Sequence, residues 1–260
     1  MNRIDEKFAS LNGKKALITF VTAGDPDLET TEKLVLSMLD SGADIVELGV
    51  PFSDPVAEGP VIQTASERSL AGGTTLVKIF ALVKSLREKT NAPLLLMMYL
   101  NTIYGFGTEK FFQLCVENGI DGVIVPDMPY EERDEIQPTA KKYGIHSISL
   151  VAPTSKERIA MIANDASGFL YCVSSTGVTG TRNSFSTNFE EFFATIKQNS
   201  KIPCAVGFGI SNPEQAKEMS GYCDGVIVGS AIVKIIEQEK QNSTPKVSAF
   251  VKSLKEALEN

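Results

Sequence analysis

The chain has 260 residues, of which 43% are hydrophobic and 22% charged, and its formal net charge is -7 at pH 7. That is ordinary globular composition with ample apolar material for a core, and the acidic balance argues against binding a nucleic-acid backbone. The length suits one large α/β barrel or two small domains. Cys115, Cys172, Cys204 and Cys223 form no C-x-x-C pair and are expected as buried reduced thiols. The opening MNRIDEKFASLNGKK has no apolar signal core. The apolar runs fall short of the ~18–20 residues a membrane span needs, so a soluble cytoplasmic protein is expected.

Short apolar runs alternate with longer amphipathic stretches. The first run is ALITFVTAG (16–24). Asp25, Pro26 and Asp27 follow with acids suited to a helix start, and LETTEKLVLSMLDSG carries helical spacing through Leu34, Met38 and Leu39. The second run is DIVELG (44–49). After the loop PFSDPVAEGP come two helical patterns, VIQTASERSLAGG and TTLVKIFALVKSLREKT, divided by Gly72 and Gly73. The third run is PLLLMMYL (93–100), then a Gly-containing loop and the helix TEKFFQLCVENG. The fourth is GVIVPD (122–127), before an acid-rich helix that must accommodate Pro138. HSISLVAP (146–153) and GFLYCVSS (168–175) are the fifth and sixth runs. They precede SKERIAMIANDA and FEEFFATIKQNS. IPCAVGFGI (202–210) and GVIVGS (225–230) are the seventh and eighth, before NPEQAKEMS and AIVKIIEQE, and KVSAFVKSLKEALEN closes the chain.

Apolar runs rich in β-branched residues and lacking polar alternation suit a buried parallel sheet. Eight strand–helix units in a chain of this length predict a single-domain (β/α)8 TIM barrel over residues 1–260, with a doubly wound open sheet as the alternative. In a barrel, function sits on the loops after the strand C-termini. The loops after strands two and six are the long ones and are candidate lids.

Side chains alternate along a strand, so Ile45, Glu47 and Gly49 share one face of strand two, and Val46 and Leu48 the other. With Val46 and Leu48 on helices, Glu47 points into the barrel near its mouth. No strand run supplies a basic partner, so its pKa is expected to be raised and its carboxyl able to donate a proton near neutral pH. Asp54 and Glu58, in the following loop, read from pattern alone as loop acids or helix caps, and Asp127 at the end of strand four is equally ambiguous. His146, the only histidine, begins strand five and so lies at the far end of the barrel. A histidine-based triad is not expected.

Three Gly-rich segments follow the last three strands: TGVTG (176–180), GFGIS (207–211) and VGSA (228–231). Glycines let backbone N–H groups approach an anion, and Gly229 and Ser230 lead straight into a helix whose N-terminus favours phosphate. Phe20, Met97, Tyr99, Val125, Leu150 and Tyr171 are placed inward near the mouth, as barrel core or as the walls of a flat apolar pocket. The residues by themselves point to a phosphorylated, partly apolar substrate and proton transfer by carboxylates.

ELGVPFSDPVAEGPVIQ (47–63), with FVTAGDP (20–26), GVTG (177–180), GFGIS and GSAIVKIIE (229–237), resembles the tryptophan synthase alpha-subunit family over nearly the whole chain. The resemblance implies a (β/α)8 barrel that cleaves indole-3-glycerol phosphate to indole and glyceraldehyde 3-phosphate. It implies no cofactor of its own. The implied partner is a pyridoxal-phosphate beta subunit in an alpha2-beta2 complex, with Pro51, Asp54 and Asn101 helping to dock it. Glu47 matches the family's general acid–base. Glu58 stands where the family usually has an aspartate against the indole N–H; its extra methylene shifts the carboxylate by roughly 1 Å, a scale of misplacement that costs up to ~100-fold. Tyr171 and Thr179 match residues supporting the active site and its loop. Gly180, Gly209, Gly229 and Ser230 match phosphate contacts, and Phe20, Met97, Tyr99 and Val125 the indole pocket. No metal site is implied. A stand-alone lyase releasing indole, another phosphate-binding barrel and a non-catalytic regulatory subunit are the other readings.

Overall fold

The computed structural model describes residues 1–173, 189–207 and 209–260. The apolar runs are strands, and the amphipathic stretches wrap around them. Helix α1 (Arg3–Ser10) precedes β1 (Ala16–Thr22), and α2 (Leu28–Asp40) leads to β2 (Ile45–Gly49). Two helices, α3 (Pro60–Ala71) and α4 (Leu76–Arg87), fill the crossover to β3 (Leu94–Met97). Helices α5 (Leu100–Phe106) and α6 (Thr108–Asn118) precede β4 (Gly122–Ile124). A 3-10 turn (Tyr130–Glu135) and α7 (Gln137–Lys142) precede β5 (His146–Val151). Then come α8 (Lys156–Asp165), β6 (Leu170–Val173), α9 (Phe189–Asn199) and β7 (Cys204–Gly207). Helix α10 (Pro213–Ser220), β8 (Gly225–Val228), α11 (Ser230–Glu239) and α12 (Thr244–Glu259) complete the chain.

The eight strands pair in chain order, all parallel, and β1 pairs with both β2 and β8, so the barrel is closed and the open-sheet alternative is excluded. Alternation divides each strand between two cores. Ile18, Ile45, Leu95, Ile124, Ile148 and Ile227 fill the interior, while Leu17, Val46, Leu96, Val123, Leu170 and Val226 meet the helices. Both faces are apolar because both are buried.

Three local differences from the sequence reading have physical causes. Helix α1, unassigned in the sequence, is started by Asn2, whose side chain accepts the Ile4 N–H at 2.9 Å. Helix α5 replaces the expected Gly-containing loop, because the Asp127 carboxylate accepts the Leu100 N–H at 3.0 Å. The acid-rich helix divides before Pro138, which sits in the first turn of α7, where its missing N–H costs no helical hydrogen bond.

The end of the barrel opposite the mouth is sealed by α1, with Ile4 fully buried and Phe8 against Phe169. Three aspartates just ahead of strands also act there. Asp44, Asp121 and Asp224 each accept the N–H of a residue at the start of the neighbouring strand, Leu17, Leu94 and Cys204, at 2.9 Å. Asp121 also receives Arg3 at 2.8 Å and Arg87 at 2.7 Å. Burial lowers the Arg87 pKa to about 10 against the pull of Asp121. Asp121→Ala leaves this guanidinium buried without its counter-charge, and a loss of about 3–5 kcal/mol of stability is expected, read as a lower urea midpoint. His146 opens β5 at this same end, its Nε2 3.1 Å from the Asp5 carboxylate, away from the mouth as expected.

Candidate active site

Strand β2 carries Glu47 to the mouth. Val46 and Leu48 pack outward as expected, so Glu47 faces inward, beside Phe20 of β1 and Leu95 of β3 in register. The Glu47 side chain is 0% exposed, and neither carboxylate oxygen has a hydrogen-bond partner among the described residues. Burial pushes its pKa up to about 8, because an apolar surrounding disfavours the anion. Such a carboxyl is protonated at neutral pH and able both to donate and to reclaim a proton.

Glu58 follows Glu47 on the β2–α3 loop. It is buried, and its carboxylate accepts the Tyr99 hydroxyl. That hydroxyl in turn accepts the Ala57 N–H at 2.9 Å, and Phe52 stacks on the Tyr99 ring with centroids 4.8 Å apart. Burial raises the Glu58 pKa and the nearby Asp127 adds to this, while the Tyr99 hydrogen bond opposes both. Burial and Glu58 raise the Tyr99 pKa, which keeps the phenol a donor. Glu58 is therefore not a helix cap: α3 starts at Pro60 with no side-chain cap.

Tyr171 points inward from β6. Its pKa lies well above the ordinary value, first through burial and then through the charges of both Glu47 and Glu58. The two carboxyls thus act on one phenol, and the three groups lie near one another. Two glycines make room for the rings. A Cβ at Gly49 would lie 2.5 Å from the Phe20 ring, and one at Gly207 2.6 Å from the Tyr171 ring.

On the far side of β1 from the acids, at the end of β8, Gly229 immediately precedes α11 and Ser230 is its first residue. The first-turn N–H groups of a helix lack partners within it and present a positive dipole end. Gly209 adopts φ 67, a conformation that suits glycine. A Cβ at Gly229 would lie 3.2 Å from Phe20, which places this end against β1. Thr179 and Gly180 lie outside the described residues.

Phe20 and Met97 belong to the interior cluster, and Leu150 packs against it. Tyr99 joins the site through Glu58. Val125 does not face inward: it packs in the outer cluster while Ile124 takes the interior position, because alternation puts neighbouring residues on opposite faces. Asp127 serves the start of α5, and Asp54 is exposed and accepts the Ser53 hydroxyl. Asp25, expected at a helix start, instead holds Arg68 of α3 through two hydrogen bonds of 2.8 Å. Asp27 alone caps α2, accepting the Thr30 N–H at 2.6 Å. The Asp25–Arg68 pair spans 43 residues, and no local pattern reveals it.

A closed parallel barrel with a protonatable carboxyl at its mouth that is unpaired among the described residues, a second carboxyl near it and a helix N-terminus one strand away defines a barrel enzyme of the acid–base type. The sequence model of the family described as tryptophan synthase alpha chain matches residues 8–259. The alpha chain of Alkaliphilus metalliredigens (strain QYMF) is 51% identical over 260 residues, covering 98% of each chain. That of Thermoanaerobacter sp. (strain X514) is 50% identical over 262 residues, covering 99% of this chain and 100% of the relative. The crystal structure of tryptophan synthase subunit alpha from Legionella pneumophila str. Paris is similar, with a TM-score of 0.89, 40% identity and coverage of 100% and 99%. A chain of the tryptophan synthase complex from Pyrococcus furiosus has a TM-score of 0.86 at 35% identity, covering 93% of this chain and 98% of that one. The chain belongs to the tryptophan synthase alpha chain family. The family's activity is that of a carbon–carbon lyase acting on indole-3-glycerol phosphate in tryptophan biosynthesis.

Proposed function

We propose that Glu47 and Glu58 carry out this lyase reaction in the barrel mouth, with the substrate phosphate held at Gly209, Gly229, Ser230 and Gly180 and its ring beside Phe20, Met97 and Tyr99. The observation that carries the reading is the buried Glu47 carboxyl, unpartnered among the described residues, with its pKa near 8. Glu47 protonates indole C3, and the ring becomes an indolenine cation. Glu58 accepts the indole N–H and stabilises that charge. Glu47, now an anion, removes the proton of the hydroxyl on the carbon attached to C3. The O–H electrons form the aldehyde carbonyl, the carbon–carbon bond breaks, and its electron pair restores the neutral ring. Indole and glyceraldehyde 3-phosphate leave, and Glu47 is protonated again. Tyr171 lies near both carboxyls, and Thr179, outside the described residues, is assigned its supporting role by the family resemblance alone.

This chemistry requires no cofactor in the chain, since burial of Glu47 supplies the acid at neutral pH. The closed barrel supports one domain over residues 1–260. A cytoplasmic location is consistent with a biosynthetic role, and no single helix among the described residues is long and apolar enough to cross a membrane. The Pyrococcus furiosus complex supports a beta-subunit partner, carrying pyridoxal phosphate in an alpha2-beta2 assembly. The docking face then lies at the mouth, where Asp54 and Asn101 are exposed and Pro51 is buried beside them.

The test is indole release from indole-3-glycerol phosphate by the purified chain, alone and with a beta subunit. Weak release alone and strong activation by the partner are expected. High activity alone would favour the stand-alone lyase, and no indole in either case would overturn the catalytic reading.

A further inference from the structure

Thr22 ends β1 and shares the inward face of Ile18 and Phe20. It is 2% exposed, and its Oγ1 has no hydrogen-bond partner among the described residues. A buried hydroxyl without a partner is unfavourable, so its place in the molecule calls for a ligand. Thr22 pairs with Gly49, one inward position beyond the level of Phe20 and Glu47. Gly49 brings no side chain of its own to this level, and the Phe20 ring packs over it, 2.5 Å from where a Cβ would lie. Thr19, whose buried hydroxyl is also unpartnered among the described residues, lies on the opposite, outward face of β1 and is not available to the mouth.

The strand order supplies the ligand. Strand β1 lies between β8, which leads to the phosphate helix, and β2, which carries Glu47. A substrate with its phosphate at Ser230 and its reacting carbon at Glu47 must lay the connecting carbons across the end of β1. Those carbons carry two hydroxyls. One is on the reacting carbon and loses its proton to Glu47. The other, on the middle carbon, takes no part in bond making or breaking. We propose that Thr22 Oγ1 hydrogen-bonds this middle hydroxyl and is a substrate-binding residue for the three-carbon chain. The proposal rests on the site assignment above. It adds selectivity for a hydroxylated chain, which neither the ring pocket nor the phosphate site provides.

Thr22→Val keeps the shape and removes the hydroxyl. The full chain is assayed with its beta partner on indole-3-glycerol phosphate, and inhibition is measured with indole-3-propanol phosphate, the same skeleton without either chain hydroxyl. Loss of one hydrogen bond predicts roughly a tenfold fall in kcat/KM for the substrate. The propanol phosphate should inhibit variant and wild type within about twofold of each other, since it offers Thr22 no partner. Thr22→Ser should restore the substrate's kcat/KM. Equal weakening of both ligands would show a packing role only and overturn the proposal, as would no change for either. Binding of the propanol phosphate, measured directly by calorimetry on variant and wild type, needs no turnover, so it separates this proposal from the acid–base assignment. Normal turnover in a Glu47 variant would sink that assignment and leave the Thr22 comparison standing on its own.

Discussion

Glu47→Gln is expected to fold and to lose indole formation by at least ~100-fold, the usual scale for an acid–base group. The amide keeps the shape of the side chain but neither delivers nor reclaims a proton. Its second signature is in stability. The Glu47 carboxyl titrates at about 8 in the folded chain against an ordinary 4.5. Below pH 4.5 both states hold the proton and the contribution is constant. Between 4.5 and 8 the unfolded chain ionises and the folded one does not, so the folded state loses about 1.4 kcal/mol per pH unit relative to the unfolded. Glutamine does not titrate. Urea unfolding across that window should therefore show the variant gaining on wild type as pH rises, with the difference levelling above pH 8. A near-normal rate would remove Glu47 from the mechanism, and parallel stability profiles would show that its carboxyl is not held neutral.

Glu58→Gln should lower kcat by ~100–1000-fold, the scale for removing one group placed to stabilise developing charge. The ring nitrogen becomes cationic when C3 is protonated, and an amide offers only a dipole where the carboxylate offers a charge. The hydrogen bond from Tyr99 holds the side chain in one arrangement, so little reorganisation is needed as the charge develops. Glu58→Asp tests the longer side chain separately. It keeps the charge but withdraws it from Tyr99, and a misplacement of about 1 Å is enough to cost activity. Steady-state assays of the two variants side by side separate charge from reach. A Glu58→Gln variant with wild-type kcat would show that the ring cation is stabilised by something else.

Much of the barrel was legible in the chain. Eight apolar runs, each followed by an amphipathic stretch, gave strand order and number, because a strand buried on both faces has no freedom to be polar. The inward orientation of Glu47 followed from alternation, since Val46 and Leu48 needed the helix face. The same rule, carried past the end of β4, would have moved Val125 outward, where it packs. The aspartates ahead of β2, β4 and β8 also left a sequence mark, an acid directly before an apolar run, though the mark does not say which strand end accepts it.

By itself the sequence determined the fold class, the family and the carboxyl most suited to acid–base work, since these depend on local periodicity and on motifs of adjacent residues. Only the tertiary structure decided which groups meet. The Tyr99–Glu58 contact spans 41 residues and the Arg68–Asp25 pair 43, and closing the barrel brings β8 beside β1 and so the phosphate helix beside Phe20. Desolvation was likewise decided there. The pKa of Glu47 and the burial of the Thr22 hydroxyl depend on what surrounds them in three dimensions, and a one-dimensional pattern records a residue's neighbours in the chain but not those across the mouth.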